Sequence, residues 1–308
     1  MQEIAPNIII EKRFAPYNLG VVVTEHGVIA IDVPPQPSQA QLWLEEIRNS
    51  WGQPRFLMLS DGQPERLIGA ALASIPTIMT RAAAQSLAAF DEKTWLEMLH
   101  TIGQNYPEEL EVLTNLRPPR PTLIISQTLH LHYTTPPLTF EPLSGNSPGS
   151  LMLTIPEHKV LFAGDTVVAD QPPDLRYTPD FNDWLKTLAA LAKRKDIRWI
   201  VPGRGSGPLP RGDLESQQEL MHELEHAARR LARKADDSEG ITQATTDLQQ
   251  VFYPHAARGS AIHKTLRQAL EILASQKRAE RLEAAEQKAA QRAAAVSAEN
   301  AVTGEPER

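Results

Sequence analysis

Three patterns in this 308-residue chain hold residue types that could do chemistry. His222-Glu223-Leu224-Glu225-His226 fits the H-E-x-x-H spacing, which sets two imidazoles on one helix face beside a carboxylate, as a zinc-dependent hydrolase requires. The apolar stripe of that segment is Leu220, Leu224, Ala227 and Leu231, however. At 100° per residue both histidines stand about 160° of arc from Leu224, so they are expected to face solvent. His130 and His132, in Thr-Leu-His-Leu-His-Tyr, share one face if the segment is a strand, and two such ligands can begin a metal site. The commoner outcome is a pair of polar side chains on an exposed sheet face. The run Arg-Gly-Ser-Gly-Pro-Leu-Pro-Arg-Gly over 204–212 has the glycines of a phosphate loop but not its Lys-Ser/Thr, and reads as a proline-rich loop. Cysteine is absent, which excludes disulfides, Cys-ligated zinc, iron–sulfur clusters and thiol catalysis.

The elements that would position such residues alternate between strands and helices. Asn18-Leu19-Gly20 opens two β-branched runs, 21–24 and 28–31, broken by a Glu25-His26-Gly27 hairpin turn. Leu42, Leu44 and Ile47 predict a helix over 40–49, and Phe56-Leu57-Met58-Leu59 a buried strand. A helix should follow over 67–73, a strand over 75–79, and a helical stretch over 81–113 interrupted near Pro107. Two strands are expected over 122–133, a hairpin of 151–155 with 160–163, a helix over 181–193 with Trp184, Leu188 and Leu191 on one face, and a strand over 199–201. Helices should then run to about 275. No repeat is evident.

Hydrophobic residues at 41% and charged residues at 22% are enough for a buried core. The net charge of -7 argues against a nucleic-acid partner, because phosphate binding needs a basic field. No run reaches about 18 consecutive apolar residues and the N-terminal segment carries no signal-peptide pattern, so a cytoplasmic protein without membrane contact is expected.

Three further stretches carry a resemblance. Gly-Asn-Ser-Pro-Gly-Ser-Leu-Met-Leu (145–153), Val-Leu-Phe-Ala-Gly-Asp-Thr-Val (160–167) and Ile-Val-Pro-Gly-Arg-Gly (200–205) occur in the order and separation seen in the metallo-β-lactamase fold superfamily. The resemblance covers about residues 5–235 and implies an α/β fold, a four-layer αββα sandwich of the metallo-β-lactamase type, here with a C-terminal helical extension. The implied organisation is a domain over 1–235, helices over 236–275 and a charged Ala-rich tail over 276–308, helical at first and disordered from about 297.

The family usually holds two metal ions on histidines and an aspartate, and the metals acidify a bridging water. Aligned on Gly69, the family's ligand positions are taken here by Asp61, Gln63, Glu65, Arg66, Asn146, Asp165 and Arg204. Only Asp165 keeps the family identity, and all five expected histidines are missing. Arginine cannot deprotonate to ligate a metal. Arg66 and Arg204 are therefore expected to pair with Asp61, Glu65 or Asp165, replacing the metal centre with an ion-pair cluster. The resemblance then implies a catalytically degenerate member without zinc or another cofactor, with a binding, regulatory or structural role. A small anionic ligand against the two arginines, or a partner protein on the C-terminal helices, would suit that role. The alternative is a hydrolase of an ester, thioester, lactone or phosphodiester with one hard divalent ion on the oxygen donors Asp61, Gln63, Glu65, Asn146 and Asp165.

Overall fold

The computed structural model describes residues 1–234 and 237–303. Two mixed sheets carry the first 219 residues. In one, β1 (Gln2–Ala5), β2 (Ile8–Glu11), β3 (Leu19–Thr24) and β4 (Gly27–Ile31) form an antiparallel meander, and β5 (Pro54–Met58), β6 (Thr77–Thr80) and β7 (Leu123–Ile125) continue from β4 in parallel. Each parallel step needs a crossover helix. These are α1 (Pro37–Trp51), α2 (Pro64–Ala70), and the group α3 (Arg81–Ala88), α4 (Glu92–Asn105) and α5 (Leu110–Leu113). The second sheet runs β8 (Leu129–Leu131), β9 (Leu138–Leu143), β10 (Ser150–Ile155) and β11 (Val160–Val168) as antiparallel neighbours. Helix α6 (Phe181–Lys193) then crosses to β12 (Trp199–Arg204), parallel to β11, with β13 (Leu209–Pro210) at the edge.

The period-two alternation of β4 shows how the layers form. Ile29 and Ile31 join Ile8, Ile10 and Met58 against Leu138, Phe140, Leu151, Leu153 and Phe162 of the second sheet. Val28 and Ala30 face the other way, where Ala40, Trp43 and Ile47 of α1 and Leu67 of α2 cover the sheet. Both faces of the strand are buried, which its run of β-branched and apolar residues reflects. Trp184, Leu188 and Leu191 of α6 are buried as their spacing predicted, and Trp184 Nε1 donates to the Thr166 carbonyl at 3.0 Å. The result is a four-layer αββα sandwich.

Several boundaries differ from the sequence reading. Helix α1 buries Ala40, Trp43 and Ile47, while Leu42 is exposed. Helix α2 begins at Pro64 because proline suits a first helical turn. The stretch 81–113 is broken a second time after Ala88, where Asp91 caps α4 through Thr94 N at 2.8 Å. Strand β11 extends five residues past the expected end, to Val168.

The chain divides into two compact units, Met1–Glu219 and Leu220–Arg308. The division falls inside α7 (Leu214–Leu231). The expected boundary at 235 lies outside the described residues. The second unit adds α8 (Ser238–Phe252) and α9 (Ala261–Thr303), which pack on each other. Helix α9 continues through 297–303, part of the stretch expected to be disordered, and residues 304–308 of that stretch lie outside the described ones. Side chains over 279–292 are exposed, as a solvated helix requires. Among the described residues no helix is long and apolar enough to cross a membrane.

Candidate functional site

The parallel strands of both sheets deliver their C-terminal ends to one place. Asp32 follows β4, Ser60 and Asp61 follow β5, Asp165 lies on β11, and Arg204 ends β12. Asn146 comes from the β9–β10 loop, and Arg66 from α2. Close backbone approach makes room for this. A Cβ on Gly69 would stand 2.0 Å from the Pro34 carbonyl oxygen, so only glycine lets α2 lie against the loop after β4. A Cβ on Gly203 would stand 2.2 Å from Asp165 Oδ1.

Arg66 is at the centre and is 1% exposed. Its Nη2 donates to Asp165 Oδ1 at 2.6 Å. Its Nη1 is 2.7 Å from Asp32 Oδ2 and its Nε is 3.3 Å from Asp61 Oδ1, at angles that make these ion contacts rather than aligned hydrogen bonds. Arg204 Nε donates to the other Asp165 oxygen at 2.6 Å, and its Nη2 to Gln63 Oε1 at 3.2 Å. Both guanidiniums lie over the ring of Tyr17, at 4.6 Å for Arg204 and 6.0 Å for Arg66. Asn146 Nδ2 donates to Asp61 Oδ2 at 3.2 Å, and its own Oδ1 accepts from Ser150 Oγ. Glu65 is not part of this inner network. Its Oε1 faces Arg176 at 3.8 Å, and Arg176 is held more tightly by Asp174 at 2.5 Å.

Thus Asp61, Gln63, Arg66, Asn146, Asp165 and Arg204 form one connected cluster, with Glu65 at its margin. Sequence reasoning missed Asp32, Tyr17 and Arg176. Asp32 adopts φ 56°, a left-handed conformation that aspartate tolerates better than most residues, and its Oδ1 accepts from Ser60 N at 2.8 Å. An acidic residue ending an apolar strand just before Pro34-Pro35 was the one available hint. His130, His132, His222 and His226 are all exposed, as expected, and His130 Nδ1 lies 3.1 Å from the Thr139 hydroxyl.

The charges respond to burial and to one another. Burial pushes Asp61 up, Arg66 opposes it, and Asp165 and Asp32 add to the rise, leaving it at about 6. Burial likewise raises Asp32 despite Arg66. Asp165 differs because two arginines grip it. Burial would raise it, but Arg204 and Arg66 together outweigh that and hold it below the usual carboxylate range. Arg66 is desolvated, yet three carboxylates keep it charged. Burial raises Tyr17, so its hydroxyl stays protonated at neutral pH.

The metal centre usual in this fold does not suit these donors. The carboxylates at its heart already accept guanidinium N–H groups, and two permanent cations stand among them. Nor does the cluster offer an accessible general base. Asp61 has a suitable pKa, but its oxygens meet Gln63 N, Arg66 and Asn146, and it is fully buried.

Comparison with known proteins bears on the fold. The family model of the metallo-β-lactamase superfamily matches residues 87–204. That span includes the first two resemblance motifs and the third up to Arg204, and begins after the altered 61–66 segment. Among solved structures, the DIM-1 metallo-β-lactamase superposes with a TM-score of 0.51 at 18% identity, covering 72% of this chain and 95% of its own. A metallo-β-lactamase family protein from Thermus thermophilus gives 0.59 at 15% identity, covering 87% and 93%. The stereoselective inverting sec-alkylsulfatase Pisa1 from Pseudomonas sp. gives 0.62 at 13% identity, covering 89% of this chain and 49% of that one. No curated protein sequence matches. The chain has the metallo-β-lactamase fold.

Proposed function

We propose that this chain is a metal-free form of the metallo-β-lactamase fold, with a binding or regulatory role rather than hydrolysis. The observation that supports this reading most is Arg66, buried among Asp32, Asp61 and Asp165 where the fold ordinarily gathers metal ligands. A fixed guanidinium supplies the cationic charge that would otherwise come from an ion, and so holds strand ends of both sheets together. It cannot acidify a water, so the hydroxide that drives hydrolysis is not generated. In this reading the site's scaffold is kept and its chemistry is lost. A cytoplasmic location without membrane contact is part of the proposal; among the described residues no helix is long and apolar enough to cross a membrane.

The test is a hydrolysis screen of the purified chain. Ester, thioester, lactone and phosphodiester substrates are each assayed with and without added zinc or manganese. The expected result is no turnover above background, identical for the parent and Asp165→Ala. Metal-dependent turnover that disappears in Asp165→Ala would overturn the proposal in favour of a hydrolase with an oxygen-donor metal site.

A further inference from the structure

The cleft beside the arginine cluster has a chemistry of its own. A cavity of about 420 Å³ opens next to Tyr17, within the range of small-ligand pockets. Its walls include Phe14, Tyr17, Tyr106, Pro35 and the carboxylate-bearing Glu108. Three aromatic rings with a carboxylate at the rim is the composition that accepts an alkylated ammonium group, since ring faces attract cations and need no hydrogen bond from them.

The surrounding charge points the same way. An anion would need a free cation, and every arginine near the cavity is committed. Arg13, which also lines it, is held by Glu11 at 2.7 Å and Glu46 at 2.6 Å. Arg66 and Arg204 share Asp165, and Arg176 is paired with Asp174. Carboxylates are in excess. Glu65 has a buried Oε2 with no hydrogen-bond partner, and it lies close enough for its charge to add to the burial-driven rise of Tyr17 and Tyr106. Tyr17 already stacks under Arg204 at 4.6 Å and Phe14 under Arg13 at 5.5 Å, so Tyr106, which has no guanidinium over it among the described contacts, is the ring left to meet a bound cation.

We propose that this cavity binds a small organic cation of the quaternary or methylated ammonium class, held among Phe14, Tyr17 and Tyr106 with Glu108 as its counter-charge. The inference rests on the metal-free reading, because an arginine cluster whose charge is internally spent is what leaves the cleft acidic. It reverses the simpler expectation of an anion held by Arg66 and Arg204.

The experiment is calorimetric titration of the full chain, its metal content measured on the same preparation. The probes are choline, its uncharged carbon isostere 3,3-dimethylbutanol, and inorganic phosphate. Choline is expected to bind at least about tenfold more tightly than the isostere. Glu108→Gln should weaken choline several-fold without affecting the isostere. Tyr106→Leu, which keeps apolar bulk but removes the ring, should weaken choline about tenfold. Circular dichroism of each variant confirms folding. Equal affinity for choline and the isostere, no choline binding at millimolar concentration, or phosphate binding that Arg204→Gln abolishes would each overturn the inference. A metal-free chain that ignores choline defeats this inference and leaves the metal-free reading standing, whereas a metal-loaded chain defeats that reading whatever choline does.

Discussion

Replacing Arg66 with methionine keeps the length of its stem and deletes its charge. Asp32, Asp61 and Asp165 would then face one another in the interior with only Arg204 to offset them. The group is 1% exposed, so solvent screening does not dilute the loss. Removing one partner from a buried ion network costs about 3–5 kcal/mol, because carboxylates are left desolvated and unpaired. For a unit of this size each kcal/mol lowers Tm by roughly 2–4 °C, so a fall of about 6–20 °C is expected at pH 7. The pH dependence is diagnostic. In the parent, Asp165 is held below its ordinary range, and the stability this gives is present above that range and lost on acidification. In the variant the same carboxylates are pushed up, and protonation relieves them. The deficit should therefore be largest at neutral pH and shrink as pH falls below about 5. Denaturant unfolding monitored by tryptophan fluorescence from pH 4.5 to 8 reads both quantities. A loss under about 1 kcal/mol, or one that does not vary with pH, would refute the reasoning.

Four other outcomes follow from the same network and the exposed tail. Asp61 titrates near 6 against about 3.9 unfolded, so burying it favours the protonated form; its contribution is greatest below the unfolded value and is lost as pH rises toward 6. Asp61→Asn should abolish that slope and exceed the parent in stability above pH 6, on the order of 3 kcal/mol at most; a variant less stable than the parent at pH 7 would contradict this. Asp165→Asn has the opposite sign and should cost about 3 kcal/mol at pH 7, the loss fading as the parent's own Asp165 is protonated in acid, as urea midpoints will show. Gly203→Ala places a Cβ against the Asp165 carboxylate and should destabilise by about 1–3 kcal/mol in the same assay. Deleting residues 283–308, whose described side chains over 283–292 are exposed, should change unfolding free energy by less than about 0.5 kcal/mol.

The sequence made the central layers readable because their strands are buried on both faces and so appear as uninterrupted apolar runs. Helix α6 announced itself through Trp184, Leu188 and Leu191. Strand β9 escaped notice, since Thr139, Glu141 and Pro142 interrupt its apolar residues and its burial comes from pairing with β10. Strands β1 and β2 were likewise not singled out, the first being polar and largely exposed. Within the site, the glycine and proline motifs marked the positions of Asp61, Arg66, Asn146, Asp165 and Arg204. Their pairing was only partly legible. Arg66 was expected among Asp61, Glu65 and Asp165, but Asp32 takes part instead of Glu65. Asp32 reaches Arg66 because β4 and β5 are parallel neighbours, a relation between distant segments that no local spacing encodes. Tyr17 enters for a similar reason, through a backbone bridge to Arg204.

An arginine–aspartate network stands where this fold ordinarily gathers metals. Elemental analysis by mass spectrometry tests it directly, on chain purified without chelator and again after incubation with zinc and with manganese followed by desalting. Less than about 0.1 metal per chain is expected in every sample, since metal binding needs free deprotonated donors and these are engaged by guanidinium groups. About one or more tightly held metals per chain, lost in Asp165→Asn, would contradict it.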